Sequence, residues 1–337
     1  SARLKRAIGR KSPHPNLIAP AFFAAVALGS WLLSLPVGFF GGWLVERRFG
    51  LTKQTPRGWL LDELKGLALT LILQPLLLTG AWTVIKRRPK DWWLVLAALT
   101  APLAAVFGYI APLVIMPIFN TFTRLEDQAL AARIQTLALQ AGVNIADVFS
   151  IDMSRQSEKP NAFFAGLGST KRIALGDTLL NRFEPDEIEG VVAHELGHQA
   201  HGDIWRMTGF AAASGFGLAW AMARLAPAAI HRTAGQSGVE DLTDEASFPV
   251  VAGVMTVLGF LLAPVQAAFL RRIERRTDAY AMELTRNGPA YARAMAKLAS
   301  FSLADPDPPR PVVVMLYSHP PIAERIRAAI RFSTNDD

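Results

Sequence analysis

The sequence has no cysteine among its 337 residues. That excludes a disulfide framework and any thiolate metal site, so a bound metal must be held by histidine and carboxylate. Charge is missing in a patterned way. Residues 15–45, 66–85, 92–123, 207–223 and 246–270 contain no Asp, Glu, Lys or Arg. A soluble core rarely supplies such runs, whereas roughly 20 apolar residues span a bilayer's hydrocarbon. With 51% hydrophobic residues, the composition is that of a membrane protein. Basic, aromatic-interleaved stretches are also lacking, which excludes a nucleic-acid groove despite a net charge of +7. The positive residues sit instead at the ends of the apolar runs, as in KRRPK at 86–90 and the Arg pairs at 47–48 and 271–272.

The pattern predicts a mostly α, multi-helix transmembrane bundle. Residues 1–123 should hold three spans (about 17–45, 64–86 and 92–119), and residues 204–272 a hairpin of two more (about 204–230 and 247–272). The fourth is the weakest, because its 17 uncharged residues include several glycines. The chain opens on Ser with the basic stretch SARLKRAIGR and no cleavable signal pattern, as a trimmed chain would, with any further helices upstream.

Two polar stretches remain, 124–203 and 273–337, and these hold the candidate chemistry. Residues 125–140 have helical spacing through Leu125, Ala129, Ala132, Leu137 and Leu139, stopping before Gly142. VFSID at 148–152, NAFFAGL at 161–167 and KRIALGD at 171–177 read as a small β-meander. A helix should begin at Pro185, with acidic residues against its N-terminal dipole. RFSTNDD at the C-terminus reads as a frayed tail.

On that helix lies VVAHELGHQAH at 191–201. His194 and His198 are one turn apart and project toward a shared ion. Glu195 is placed to deprotonate the attacking water, the H-E-x-x-H arrangement of zinc peptidases. One zinc per chain is expected. A third ligand is needed, and His201 on the same straight helix has poor geometry for it. Glu274 and Asp278, one turn apart after the fifth apolar run, fit better. Glu274 would ligate, and Asp278 would accept the second N–H of a ligand histidine. His319 in YSHPPIAERI could hydrogen-bond a developing oxyanion, with Arg325 as an orienting or charge-stabilising group.

Taken together, VERRFGLTKQT (45–55), PLVIMPIFNTFTRLED (112–127), KPNAFFAGLGSTKRIALGDTLL (159–180), HELGH, ERRTD (274–278) and YSHPPIAER (317–325) resemble the integral-membrane CAAX prenyl endopeptidases. The segments occur in the same order across nearly the whole length. This resemblance implies a zincin-like catalytic domain with Glu274 as third zinc ligand and His319 near the scissile carbonyl. It also implies that Asn161, Ala162 and Phe163 lie on a strand that receives substrate by edge pairing. The five spans resemble the last five of the seven in eukaryotic members. A long acidic insertion of those members is absent here, which implies a compact prokaryotic member.

The expected activity is therefore endopeptidase cleavage of membrane-associated or prenylated polypeptides, with membrane lipids as surroundings and no nucleic acid as partner. The alternatives are a quality-control protease of membrane proteins and a non-catalytic scaffold or transporter with structural zinc. If 124–203 and 273–337 share one face, residues 232–245 lie on the other. The acidity of that loop then points the site toward the cytoplasm from a prokaryotic inner membrane.

Overall fold

A computed structural model describes residues 1–12, 14–166 and 171–335. Within them, four helices are long and apolar enough to cross a membrane: α2 (Pro15–Arg48), α3 (Pro56–Arg87), α4 (Trp92–Phe119) and the last, Glu245–Thr285. They follow a short amphipathic helix, α1 (Ala2–Lys11). Large apolar side chains such as Leu33, Ile72, Leu76, Phe260 and Leu261 point outward. Hydrocarbon surroundings make that favourable.

Five spans were expected, and the fourth is where composition falls short. Residues 207–223 lie in a helix of ample length, Asp203–Ser237. Glycine, alanine and Arg224 dilute its apolarity, and it is not among the four.

The chain divides into two compact units. The first comprises Ser1–Val45, Pro56–Ala105 and Thr208–Leu261; the second comprises Glu46–Thr55, Val106–Met207 and Leu262–Asp337. In the first unit, Phe22, Phe23, Trp82, Met222 and Ile230 form the buried core. Phe23 contacts Trp82 and Phe248 with ring centroids 5.2 and 5.7 Å away. The acidic 238–245 segment is closed onto this core by two lysines. Lys5 pairs with Asp244 (2.7 Å) and Glu245 (2.6 Å), and Lys86 pairs with Glu245.

The second unit contains a four-stranded sheet: β1 (Phe122–Arg124), β2 (Asp147–Ile151), β3 (Ala162–Ala165) and β4 (Arg172–Gly176), in the order β1-β2-β4-β3. This corrects the meander reading. β2 and β4 run parallel, with Val148 opposite Ile173, while β3 lies antiparallel on the outer side of β4, with Ala162 opposite Leu175. Parallel neighbours need a crossover, and residues 152–161 supply it by carrying the chain past the place where β4 inserts. Leu167–Thr170, part of the segments read as strands and as the family resemblance, lie outside the described residues, as do the last two residues of the expected tail.

Helix α5 (Gln128–Gln140) is capped by Asp127, whose carboxylate accepts from the Leu130 N–H. Its buried face is Leu130, Ile134, Leu137 and Ala138. Of the expected face, Leu125 and Leu137 are buried, whereas Ala129, Ala132 and Leu139 point outward. The remaining helices are α6 (Pro185–Ala200), α7 (Asp203–Ser237), α8 (Phe248–Thr285), α9 (Gly288–Ser302), α10 (Arg310–Leu316) and α11 (Ile322–Asn335).

Candidate metal centre

Helix α6 begins as the sequence suggests, with Pro185 in its first turn and a reciprocal capping box between Glu184 and Glu187. Buried Glu187 also pairs with Lys297 of α9 at 2.6 Å. These contacts fix the helix that carries His194, Glu195 and His198. Two glycines let other helices approach it closely. A Cβ at Gly190 would stand 3.3 Å from the Tyr291 ring, and one at Gly197 would stand 2.9 Å from Thr277 Cγ2 and 3.1 Å from Tyr280 Cδ1.

Thr277 is fully buried, so neither side can yield cheaply. Gly197→Ala should therefore lower stability by about 1–3 kcal/mol through overpacking and weaken metal binding by displacing His198. Thermal unfolding with and without metal would check this; an unchanged melting temperature would contradict it.

The close approach brings α8 to the histidines. Oε2 of Glu274 lies 3.1 Å from His194 Nε2, and Oε1 lies 3.7 Å from His198 Nε2. One ligand atom from each of the three residues falls within 4.8 Å of the others. Glu274 Oε2 is buried and has no hydrogen-bond partner. The two Nδ1 atoms are already occupied: that of His194 donates to Asp278 (2.9 Å) and that of His198 to Asp203 (3.0 Å). With Nδ1 held by a carboxylate in both rings, both Nε2 atoms and an orphaned carboxylate oxygen face one point. Such a donor set fits a divalent metal with N and O ligands.

Each carboxylate behind a histidine is itself held. Asp278 accepts from Tyr291 Oη (2.6 Å) and from Arg325 Nη2 (2.6 Å) and Nε (2.9 Å). Asp203, fully buried, pairs with Arg276 and with Arg206 Nη1 at 3.3 Å. Asp278 lies beside His194 Nδ1, and Arg325 contacts that carboxylate. Asp203, Tyr291 and Arg276 were not anticipated. His201 lies outside the cluster, its ring 5.1 Å from that of Tyr280.

Burial pushes the Glu195 carboxyl above the ordinary glutamate range, opposed by the two imidazoles. His319 is partly exposed, with Nε2 3.3 Å from Glu274 Oε1 and Nδ1 2.9 Å from Ser318 Oγ. Desolvation lowers its pKa, against the pull of the Glu274 charge.

Glu195, His194, His319 and Arg325 line a cavity of about 160 Å³ together with Asn161 and Ala162. Asn161 precedes β3, and β3 is an outer strand with one edge unpaired among the described residues. Residues 46–55 strap down the approach to that strand. Leu51 O accepts from Glu158 N (2.8 Å), Thr52 Oγ1 donates to Gln156 O (2.7 Å), and Glu46 pairs with Lys159 (2.7 Å). This gives the VERRFGLTKQT segment a structural purpose.

Membrane-length helices, a His–His–Glu cluster and a glutamate beside it define an integral-membrane metalloendopeptidase. Residues 124–332 match the description Peptidase family M48, and residues 2–121 match CAAX prenyl protease N-terminal, five membrane helices. The chain belongs to peptidase family M48. It is 30% identical to the uncharacterized metalloprotease YhfN of Bacillus subtilis, over 98% of this chain and 77% of that one. It is 31% identical to CAAX prenyl protease 1 of Saccharomyces cerevisiae, over 91% and 71% respectively. The crystal structure of S. mikatae Ste24p superposes with a TM-score of 0.86 at 26% identity, covering 97% of this chain and 80% of that one.

Proposed function

We propose that the chain is a zinc endopeptidase whose substrates are membrane-associated polypeptides carrying a prenylated C-terminus, and that His194, His198 and Glu274 hold the zinc. The observation that carries this reading is the convergence of the three ligands on one point, with His194, Glu195 and the start of β3 lining one cavity beside it. A bound zinc would supply Lewis acidity to the scissile carbonyl and to the attacking water. The remaining chemistry belongs to side chains. Glu195 takes the proton from the water and returns it to the leaving amine. Its raised affinity for protons, and the half-apolar cavity around it, match a base that must hold a proton between two steps.

His319, with Nδ1 engaged by Ser318, can donate from Nε2 to the carbonyl oxygen as that oxygen gains charge. Asn161, Ala162 and Phe163 would align the substrate as an added strand, which reads backbone more than side chains. The prenyl-substrate part of the reading is supported by the names of relatives such as CAAX prenyl protease 1.

A cytoplasmic site in a prokaryotic inner membrane belongs to the same proposal. It rests on the arginines at 271, 272, 275 and 276 near the metal ligands. The acidity of the 238–245 segment supports it less, because Lys5 and Lys86 offset about half of its four carboxylates.

The test is cleavage of a farnesylated CAAX peptide and its unprenylated twin by purified protein, with chelator and Glu195→Ala as controls. Preference for the farnesylated peptide, abolished by both controls, is expected. Equal cleavage would move the substrate class to unmodified membrane polypeptides, and chelator-resistant cleavage would overturn the metal mechanism.

A further inference from the structure

A second concavity, of about 650 Å³, is framed by Ala268, Arg272 and Arg275 of α8, Arg310 and Val314 of α10, and Glu324 of α11. Arg275 is satisfied by Glu324 at 2.6 Å. Arg271 is buried in the wall, donating to the carbonyls of Val313 (2.8 Å) and Tyr317 (2.7 Å). Arg272 and Arg310 are exposed and have no hydrogen-bonding or ionic partner among the described residues. With Asp307 and Glu324 as the acidic lining residues against four arginines, the groove is cationic.

Its depth along α8 indicates what fills it. The uncharged stretch of α8 runs from Phe248 to Leu270, about 34 Å of helix at 1.5 Å per residue, which matches the hydrocarbon thickness. Arg271 and Arg272 follow at once and emerge at headgroup level. Across the groove, α10 exposes Val312 (37%), Val314 (40%) and Leu316 (72%) beside Arg310. Apolar side chains next to cations on a short surface helix are the pattern of an element lying in the membrane interface. Free guanidinium groups with planar donor forks suit phosphate oxygens.

We propose that this groove binds the anionic headgroup of a membrane phospholipid and that the bound lipid activates the enzyme. The geometry gives the route. Arg271 already ties α8 to carbonyls 313 and 317, in the segment that leads into His319. A headgroup bridging Arg272 of α8 and Arg310 of α10 would clamp the same two elements, holding the His319 turn against the helix that carries Glu274. The binding claim stands apart from the peptidase reading; only the activation claim rests on it.

Wild type and Arg272→Gln/Arg310→Gln would be placed in nanodiscs of phosphatidylcholine alone, or of phosphatidylcholine and phosphatidylglycerol in equal parts. Wild type should gain roughly 3 °C in melting temperature in the anionic discs. It should also gain about threefold or more in kcat on a soluble peptide. The variant should keep the phosphatidylcholine rate and lose both increments. Retained phosphatidylglycerol on wild type but not on the variant, seen by native mass spectrometry, reads binding without activity. Equal stimulation of the variant, no thermal shift in wild type, or full stimulation by inorganic phosphate in neutral discs would each overturn the proposal. If binding and thermal shift hold while no peptide is cleaved, the lipid site stands and the peptidase reading fails.

Discussion

Glu195→Gln should bind metal as wild type does and hydrolyse peptide about 10³-fold more slowly, the usual scale of a lost general base. Glutamine keeps the size and the hydrogen-bonding reach of the side chain but cannot accept the water's proton. His194, His198 and Glu274 make no hydrogen bond to Glu195, so the ligand geometry should survive. The pH profile gives a second reading. Burial raises the Glu195 pKa, with the neighbouring imidazoles opposing it. A base is lost as pH falls through its pKa, so the acid limb of kcat/KM should lie above the range of an exposed glutamate, near 4.3. In Glu195→Gln that limb should vanish from the residual rate. A variant with normal metal content and more than a tenth of the wild-type rate would remove Glu195 from the base role.

How much of this was legible in the sequence depended on whether the signal was local. His194 and His198 could be found because one helical turn converts a spacing of four into a shared face. Glu274 and Asp278 could be found for the same reason, helped by their place just after an uncharged run. Asp203 could not. It lies past the turn at Gly202, where φ is +63°, so no periodicity connects it to His198. Tyr291 reaches Asp278 from α9, and only the close pass at Gly190 brings it there.

The sheet misled for a related reason. Strand propensity marked three of the segments, but strand order is set by the crossover at 152–161, and the three-residue β1 was too short to stand out. The face of α5 was only partly legible, because its many alanines carry little burial signal: Leu137 is buried as expected, but Ala129 and Ala132 are not. The weak apolarity of 207–223 was legible from the start.

The second large effect is expected at Asp278, where one carboxylate serves His194, Tyr291 and Arg325. Asp278→Asn should weaken metal binding by roughly 10–100-fold, the scale of losing the carboxylate behind a ligand histidine. It should also destabilise the metal-free protein by roughly 3 kcal/mol, because the buried Arg325 guanidinium would keep its charge and lose its partner. Adding Arg325→Met should recover part of the stability but not the metal affinity, which separates the two contributions.

Proton linkage supplies the signature that a purely structural role would not move. Burial alone would lower the His194 pKa, but the Asp278 and Glu274 carboxylates beside its two ring nitrogens outweigh burial and the Arg325 charge, raising it to about 9 without metal. The unfolded chain releases that proton near pH 6.5. The metal-free fold therefore holds more protons between about 6.5 and 9, and its stability should fall as pH rises through that window. Metal needs the same Nε2 lone pair, so its apparent affinity should rise by up to about tenfold per pH unit across the same window. In Asp278→Asn both slopes should flatten. A metal-free melting temperature that stayed level from pH 6.5 to 9 in wild type would show that Asp278 does not hold the His194 proton.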